Sequence, residues 1–148
     1  MNGAPAFARP LRVVWLAVCA GGALALGVLG ALAVTAPAPP MPEHAAGAFY
    51  AVALVSVAAI AGAFALVRRM EARLLAAGSD AEAERVVMGY GVAALAAAEV
   101  PTLGAALAAF LTGDLLALAL GLPLFAFAWL TWPSDGRVGY WLTLRHRG

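Results

Sequence analysis

The sequence predicts an all-α fold: an integral membrane, antiparallel bundle of four transmembrane helices with both termini in the cytoplasm. Composition is the first reason, because 64% of the 148 residues are hydrophobic and only 11% are charged. Soluble domains are nearer to ~45–50% apolar and ~25% charged. The second reason is that apolar stretches of bilayer-spanning length, about 20 residues, occur four times along the chain. The length predicts a single domain, residues 1–148.

The apolar stretches are rich in alanine and leucine, which favour helix. Four prolines between residues 37 and 42 separate the first two stretches, because proline lacks the backbone N–H that a helix interior needs. The predicted helices cover residues 13–34, 47–77, 80–111 and 115–132, followed by a short cytoplasmic tail at 133–148.

The second connection carries a signal for the start of a helix. Ser79 is followed three residues later by Glu82, the pattern of a capping box, and Gly78 precedes it as a helix-ending glycine. Each flanking helix would be about 45 Å long at ~1.5 Å per residue, more than the ~30 Å hydrocarbon core. This hairpin is therefore expected to protrude from the membrane. Asp114 is placed to cap the fourth helix.

The placement of the basic residues predicts the orientation. All nine are arginines, and they lie before the first helix, in the second connection or after the fourth helix. By the positive-inside rule this side is cytoplasmic. The predicted localisation is the bacterial cytoplasmic (inner) membrane, with multiple spans. After Pro133, residues 138–145 alternate weakly between apolar and polar side chains and are expected to lie at the membrane interface.

The first apolar stretch has two processing alternatives. A cleaved signal peptide would use Arg9 and Arg12 as its positive region, but the apolar run of 22 residues exceeds the usual ~7–15. Residues 16–19 resemble a lipoprotein box ending at Cys19, although Val18 is larger than the residue such a box requires. A retained span with a packed free thiol is the favoured interpretation.

A single carboxyl group interrupts the apolar interior. Glu99 lies near the middle of the otherwise charge-free residues 86–111, where an ionisable group is costly and often functional. Pro101 has no N–H and leaves the carbonyl of Ala97 without its helical partner. Thr102 falls on the same helix face as Glu99. Glu99, Thr102 and Pro101 are therefore the candidate proton- or cation-binding residues.

The structural interpretation of Glu99 stays open beside this one. An uncharged glutamate can hydrogen-bond a neighbouring helix and so hold the two helices together. Small residues at helical spacing, Ala23, Gly27 and Ala31 in the first helix and Ala58 and Gly62 in the second, predict close helix packing. Packing within the bundle is the favoured use of these faces, and self-association is the alternative.

Several functional classes lack the residues they need. One cysteine and two distant histidines, His44 and His146, predict no metal site. Without a nucleophile–base pair, a phosphate loop or a dinucleotide fingerprint, the sequence predicts no enzyme and no cofactor. A net charge of +1 without a basic patch predicts no nucleic-acid partner. The predicted partners are the lipid bilayer and either other membrane subunits or further copies of the chain.

Two resemblances attach to these residues. Residues 97–104 resemble the outer helix of the proteolipid (c) subunits of rotary ATP synthases, in which a mid-membrane glutamate precedes a proline or apolar residue and then a glycine. That resemblance implies that Glu99 carries a translocated proton or sodium ion. Over a larger part of its length the chain resembles small uncharacterised four-helix bacterial membrane proteins. The shared features are Glu-x-Pro in the third helix, the turn at residues 110–113 and Pro133-Ser134, and they imply a fold but no activity.

The leading functional prediction is a small non-enzymatic membrane protein with a structural or accessory role and a buried polar glutamate. The alternative is translocation of a proton or cation through Glu99.

Overall fold

The computed structural model describes residues 8–131 and 133–145. Every regular element in these ranges is helical, which confirms the all-α prediction. A short 3-10 turn, Pro42–His44, leads into the second of five α-helices. The helices are α1 Ala8–Thr35, α2 Ala45–Leu75, α3 Asp80–Thr112, α4 Leu115–Leu130 and α5 Asp135–Arg145. Trp132 and residues 146–148, which the predicted fourth helix and tail include, lie outside the described residues.

Three helices are long and apolar enough to cross a membrane: α1, α3, and α2 together with its preceding turn. α4 has 16 residues and is shorter than the others. Taken together, α4 and α5 make a further candidate span, bent by 57° where they meet. The described residues therefore contain three to four candidate membrane-spanning helices.

α3 is the central helix of the molecule. It packs against α1, α2 and α4, and 56% of its most apolar stretch is buried, against 17% for α1 and α2. α1 and α2 turn large apolar side chains outward, among them Leu24, Leu54 and Val57. This arrangement places the middle of α3, and with it Glu99, inside the protein.

Two buried clusters lie toward opposite ends of α3. The first cluster joins the start of α1, the end of α2, the start of α3 and α5: Ala8, Leu11, Met70, Leu74, Ala83, Val87, Val138 and Trp141. The second joins the start of α2, the end of α3 and the start of α4: Val52, Ala105, Ala108, Ala109 and Ala117. The α2–α3 connection and α5 therefore lie at the same end of the molecule.

The caps predicted for α3 and α4 are formed. Ser79 Oγ accepts a hydrogen bond from the Glu82 N–H at 3.2 Å, and Glu82 Oε2 accepts one from the Gly78 N–H at 3.0 Å. Asp114 Oδ1 accepts from the Leu116 N–H at 2.9 Å. Gly78 does not adopt the positive φ expected of a helix-ending glycine.

Gly113 ends α3 in the left-handed conformation, with φ of +71°. A Cβ at this position would also lie 3.1 Å from Pro39 Cγ. We expect Gly113→Ala to lower the free energy of unfolding by about 1–2 kcal/mol, because L-residues are strained in this conformation. Thermal unfolding in detergent measures the effect. The control is Gly47→Ala in α2, where the new Cβ meets no neighbour within 4 Å. Equal stability of the Gly113 variant and the parent would contradict the expectation.

The segment predicted as a tail contains a helix, α5. Residues 135–145 form a helix, and Ser134 begins it by accepting a hydrogen bond from the Arg137 N–H at 3.3 Å. Val138 and Trp141, three residues apart, turn into the first cluster. The weak alternation of apolar and polar side chains along this segment did not indicate a helix. The buried face of α5 is identified by its packing against α2.

The ends of α1 and α4 also differ from the prediction. α1 begins at Ala8 rather than at residue 13, and α4 ends at Leu130 rather than at 132. The extra turn of α1 carries Arg12, whose Nε donates to the Pro133 carbonyl at 3.1 Å and whose Nη2 pairs with Asp135. The start of α1 is thereby linked to the α4–α5 junction.

The small-residue faces predicted to pack inside the bundle are not the packed faces. Ala23, Gly27, Ala31 and Ala58 are exposed, and Gly62 is half-buried. The buried face of α1 carries instead Trp15, Cys19, Gly22, Leu26 and Gly30. All faces of α1 are apolar or small, so spacing alone did not distinguish the face that packs.

Candidate functional site

Glu99 lies at the contact between α3 and α1. Only 2% of its surface is exposed. A Cβ added at Gly22 would lie 3.0 Å from Glu99 Cδ and 3.3 Å from Oε1, and closer still to Oε2. The carboxyl group therefore fills the space that a side chain at position 22 of α1 would occupy.

Three polar atoms at this site are buried without a hydrogen-bond partner among the described residues: Glu99 Oε1, Glu99 Oε2 and Thr102 Oγ1. The great majority of buried polar side-chain atoms in proteins do have such a partner. A buried acceptor or donor without one costs about 1–3 kcal/mol. The site is therefore costly to the fold unless a proton, an ion or water satisfies it.

Thr102 differs from the other buried hydroxyl residues. Ser56 Oγ donates to the Val52 carbonyl at 2.6 Å, and Thr112 Oγ1 donates to the Ala108 carbonyl at 2.7 Å. Both are the usual bonds of a mid-helix hydroxyl to the carbonyl four residues earlier. Thr102, which is fully buried, does not make this bond. Its hydroxyl remains available to a group bound beside Glu99.

Cys19 is the other polar residue at the contact. It is buried on the same face of α1 as Gly22, and its thiol lies close enough to the Glu99 carboxyl to interact with it electrostatically. A thiol is only a weak hydrogen-bond donor. Neither carboxyl oxygen gains a hydrogen bond of acceptable geometry from it.

Pro101 is buried within the continuous α3 helix. Because it has no N–H, the carbonyl of Ala97 receives no helical hydrogen bond from it. The atoms without a hydrogen-bond partner at this contact are thus oxygens, of a carboxyl and a hydroxyl on α3, and the Cys19 thiol of α1 lies beside them. Oxygen ligands suit a proton or a hard cation and not a soft metal. Within the described ranges, no group of three His, Cys, Asp or Glu side chains is placed to hold a metal ion.

The structure places all three predicted site residues, Glu99, Thr102 and Pro101, in the buried part of α3. The group on a neighbouring helix that interacts with Glu99 is the Cys19 thiol of α1, which is a weak hydrogen-bond donor. Sequence reasoning missed Gly22 and Cys19. Cys19 and Gly22 are three residues apart and share a helix face with Trp15 and Leu26. Other faces of the same helix have apolar or small residues at similar spacing, so this pattern did not identify the buried face.

Comparisons with family models, with curated proteins and with solved structures found no match for the chain.

Proposed function

We propose that this chain is a non-enzymatic, multi-pass protein of the bacterial inner membrane whose helical spans form an antiparallel four-helix bundle. The observation that carries the proposal is the apolar outer surface of α1 and α2. Leu24 is 68% exposed, Leu54 74% and Val57 68%. Soluble monomers rarely expose contiguous apolar surface of this kind, whereas lipid solvates it directly. In this bundle α4 and α5 together provide the fourth span.

The proposed orientation follows from the end of the molecule at which the arginines lie. The start of α1, the α2–α3 connection and α5 meet at the first cluster, and these segments carry the arginines. The connections at the other end contain none. The positive-inside rule then places the first cluster and both termini on the cytoplasmic side.

The first candidate role is structural or accessory. The carboxyl of Glu99 fits against Gly22, and a side chain that occupies a gap in the facing helix fixes how α1 and α3 align. Ala23, Gly27 and Ala31 form an exposed face of small residues on α1. In a bilayer this face would suit close approach by another membrane subunit or by a second copy of the chain.

The second candidate role is reversible binding of a proton or cation by Glu99, as a translocating protein would require. The specific observation in its favour is the three unpartnered oxygen atoms of Glu99 and Thr102. A purely structural glutamate would gain most by hydrogen-bonding α1, since polar side chains join membrane helices in that way. An unsatisfied carboxyl beside an unsatisfied hydroxyl is instead suited to taking up and releasing a ligand.

Glu99→Gln separates the two roles, because the amide keeps the size and hydrogen-bonding capacity of the acid and loses titration. For the structural role we expect the variant to keep the thermal stability and assembly state of the parent. For the binding role we expect carbodiimide to label Glu99 in the parent protein, with labelling suppressed by sodium ions or by raised pH. Mass spectrometry of the labelled chain measures the labelling of Glu99. Thermal unfolding with and without sodium measures the stability of the parent and the variant.

Glu43→Gln is the matched control, since the Glu43 side chain is 66% exposed. Its substitution should change neither the labelling of Glu99 nor its response to sodium. Labelling of Glu99 that ignores both sodium and pH would exclude the binding role. A Glu99→Gln variant that folds but loses the assembly state of the parent would contradict the structural role, because the amide would then fail to replace the acid.

A further inference from the structure

A surface groove of about 460 Å³ lies between α2 and α3, beside the first cluster. Four of the residues that line it are apolar or small: Leu66 of α2 and Val86, Gly89 and Ala93 of α3. Tyr90 lies among them, and Arg85 and Glu82 form the part nearest the α2–α3 connection. The groove therefore changes from apolar to charged toward the connection.

The depth of the groove can be counted along α3 from Glu99, near the middle of the apolar run. At ~1.5 Å per residue, Ala93 is about 9 Å from Glu99, Tyr90 about 14 Å and Arg85 about 21 Å. Half of the hydrocarbon core is ~15 Å, and headgroups extend to ~20–22 Å from the midplane. Under the membrane placement proposed above, on which this inference rests, the groove leads from the acyl chains to the headgroups of the cytoplasmic leaflet.

Three arginines surround the charged part of the groove. Arg85 lines it, and Arg69 and Arg73 follow Leu66 by three and seven residues, so that they share its face of α2. All three are exposed. Arg85 Nε donates to the Ala81 carbonyl at 3.2 Å. No carboxylate of the described residues pairs with any of the three arginines.

The acidic residues of the same hairpin do not cancel this charge. Glu82 is the acid that lines the groove in the part of the chain that the structure describes, and its Oε2 accepts the Gly78 N–H at 3.0 Å. Residues two positions apart do not share a helix face. Three other acids stand two positions from Arg69 or Glu82: Glu71, Asp80 and Glu84. The groove side of the hairpin thus carries three positive charges against one negative charge.

We propose that this groove binds one anionic phospholipid of the cytoplasmic leaflet, with its phosphate among the three arginines and one acyl chain along the apolar part. Basic pockets between membrane helices on the cytoplasmic side suit anionic headgroups, and guanidinium groups bind phosphate through paired hydrogen bonds. Gly89 leaves room for the chain, because a Cβ there would meet no neighbour within 4 Å. A zwitterionic lipid binds more weakly, since its headgroup carries no net charge to match the arginines.

Native mass spectrometry of the full chain in detergent, titrated with phosphatidylglycerol or with phosphatidylcholine, tests the proposal. The parent should bind phosphatidylglycerol more tightly. Arg85→Gln should weaken that binding about fivefold, because an arginine near an anionic lipid contributes ~1 kcal/mol and ~1.4 kcal/mol is a factor of ten. Arg69→Gln combined with Arg73→Gln should weaken it further.

The matched control for the headgroup is Arg68→Gln. Arg68 is exposed on α2 and stands two positions from Leu66, so it does not share the groove face. Its substitution should leave the affinity for phosphatidylglycerol unchanged. An equal loss in Arg68→Gln and Arg85→Gln, or equal binding of the two lipids by the parent, would overturn the proposal, because the attraction would then not belong to this groove.

Gly89→Leu tests the acyl-chain part, since its side chain fills the groove and should weaken binding of both lipids. Gly47→Leu is the control, at an exposed position of α2 where a Cβ also meets no neighbour within 4 Å. Equal lipid binding by these two variants would contradict the proposed path of the chain. Extraction of the protein from membranes by alkaline carbonate would refute the membrane placement. A retained protein without the lipid preference would overturn the groove proposal alone.

Discussion

Gly22→Leu is expected to destabilise the protein strongly. Its side chain would enter the space that the Glu99 carboxyl occupies, and a Cβ alone already lies 3.0 Å from Glu99 Cδ. Glu99 is 2% exposed, so a carboxyl displaced by the larger side chain has to be accommodated inside the protein. Overpacking of a well-packed interior costs about 1–3 kcal/mol, and sometimes more. Chemical or thermal unfolding in bicelles measures the loss.

The matched control is the adjacent residue. A Cβ at Gly21 meets nothing within 4 Å, and Gly21 is exposed, so Gly21→Leu should leave the free energy of unfolding unchanged or raise it. Glu99→Ala should recover part of the stability lost in Gly22→Leu, because it removes the group that clashes. Equal effects at positions 21 and 22, or no recovery in the double variant, would show that α1 and α3 do not meet at Gly22 and Glu99.

Glu99→Met is expected to raise stability, the opposite direction to most buried substitutions. Methionine has a similar length and adapts to irregular spaces, and it removes two buried oxygens that have no partner among the described residues. Relief of unsatisfied buried polar groups is worth about 1–3 kcal/mol. Unfolding measured in the same bicelles, without added sodium, gives the change directly.

Thr102→Val and Thr112→Val are the comparison pair for this prediction. Thr102 Oγ1 has no partner among the described residues, so its removal should be neutral or stabilising. Thr112 Oγ1 donates to the Ala108 carbonyl, so its removal should cost stability. If Glu99→Met destabilised the protein, the carboxyl would have a partner in the folded state, and a bound ion or water would be the first partner to seek.

The parts of the fold that sequence reasoning predicted are local. The cap of α3 depends on Ser79 and Glu82, three residues apart, and the cap of α4 on Asp114. The burial of Glu99 also followed from one segment, because the apolar run around it leaves little choice of environment. These features are decided within a few residues of chain.

The parts that sequence reasoning missed depend on which helix faces meet. In a soluble helix the polar residues mark the outer face. α1 has no charged residue between Val13 and Val34. The sequence therefore did not distinguish the exposed face with Ala23 and Gly27 from the buried face with Gly22. The candidate site is formed across two helices, and its α1 half could be identified only after the helices were placed together. α5 was missed for the same reason, because its buried residues are defined by contact with α2.

The shortness of α4 has a consequence for the surrounding lipid. With 16 residues, α4 rises about 24 Å at ~1.5 Å per residue, less than the ~30 Å of an average hydrocarbon layer. Such hydrophobic mismatch is relieved when the bilayer thins locally or when flanking side chains reach outward. Because α5 continues the proposed span beyond the 57° bend, the α4–α5 pair makes up the missing length, and the bilayer would not have to thin around α4.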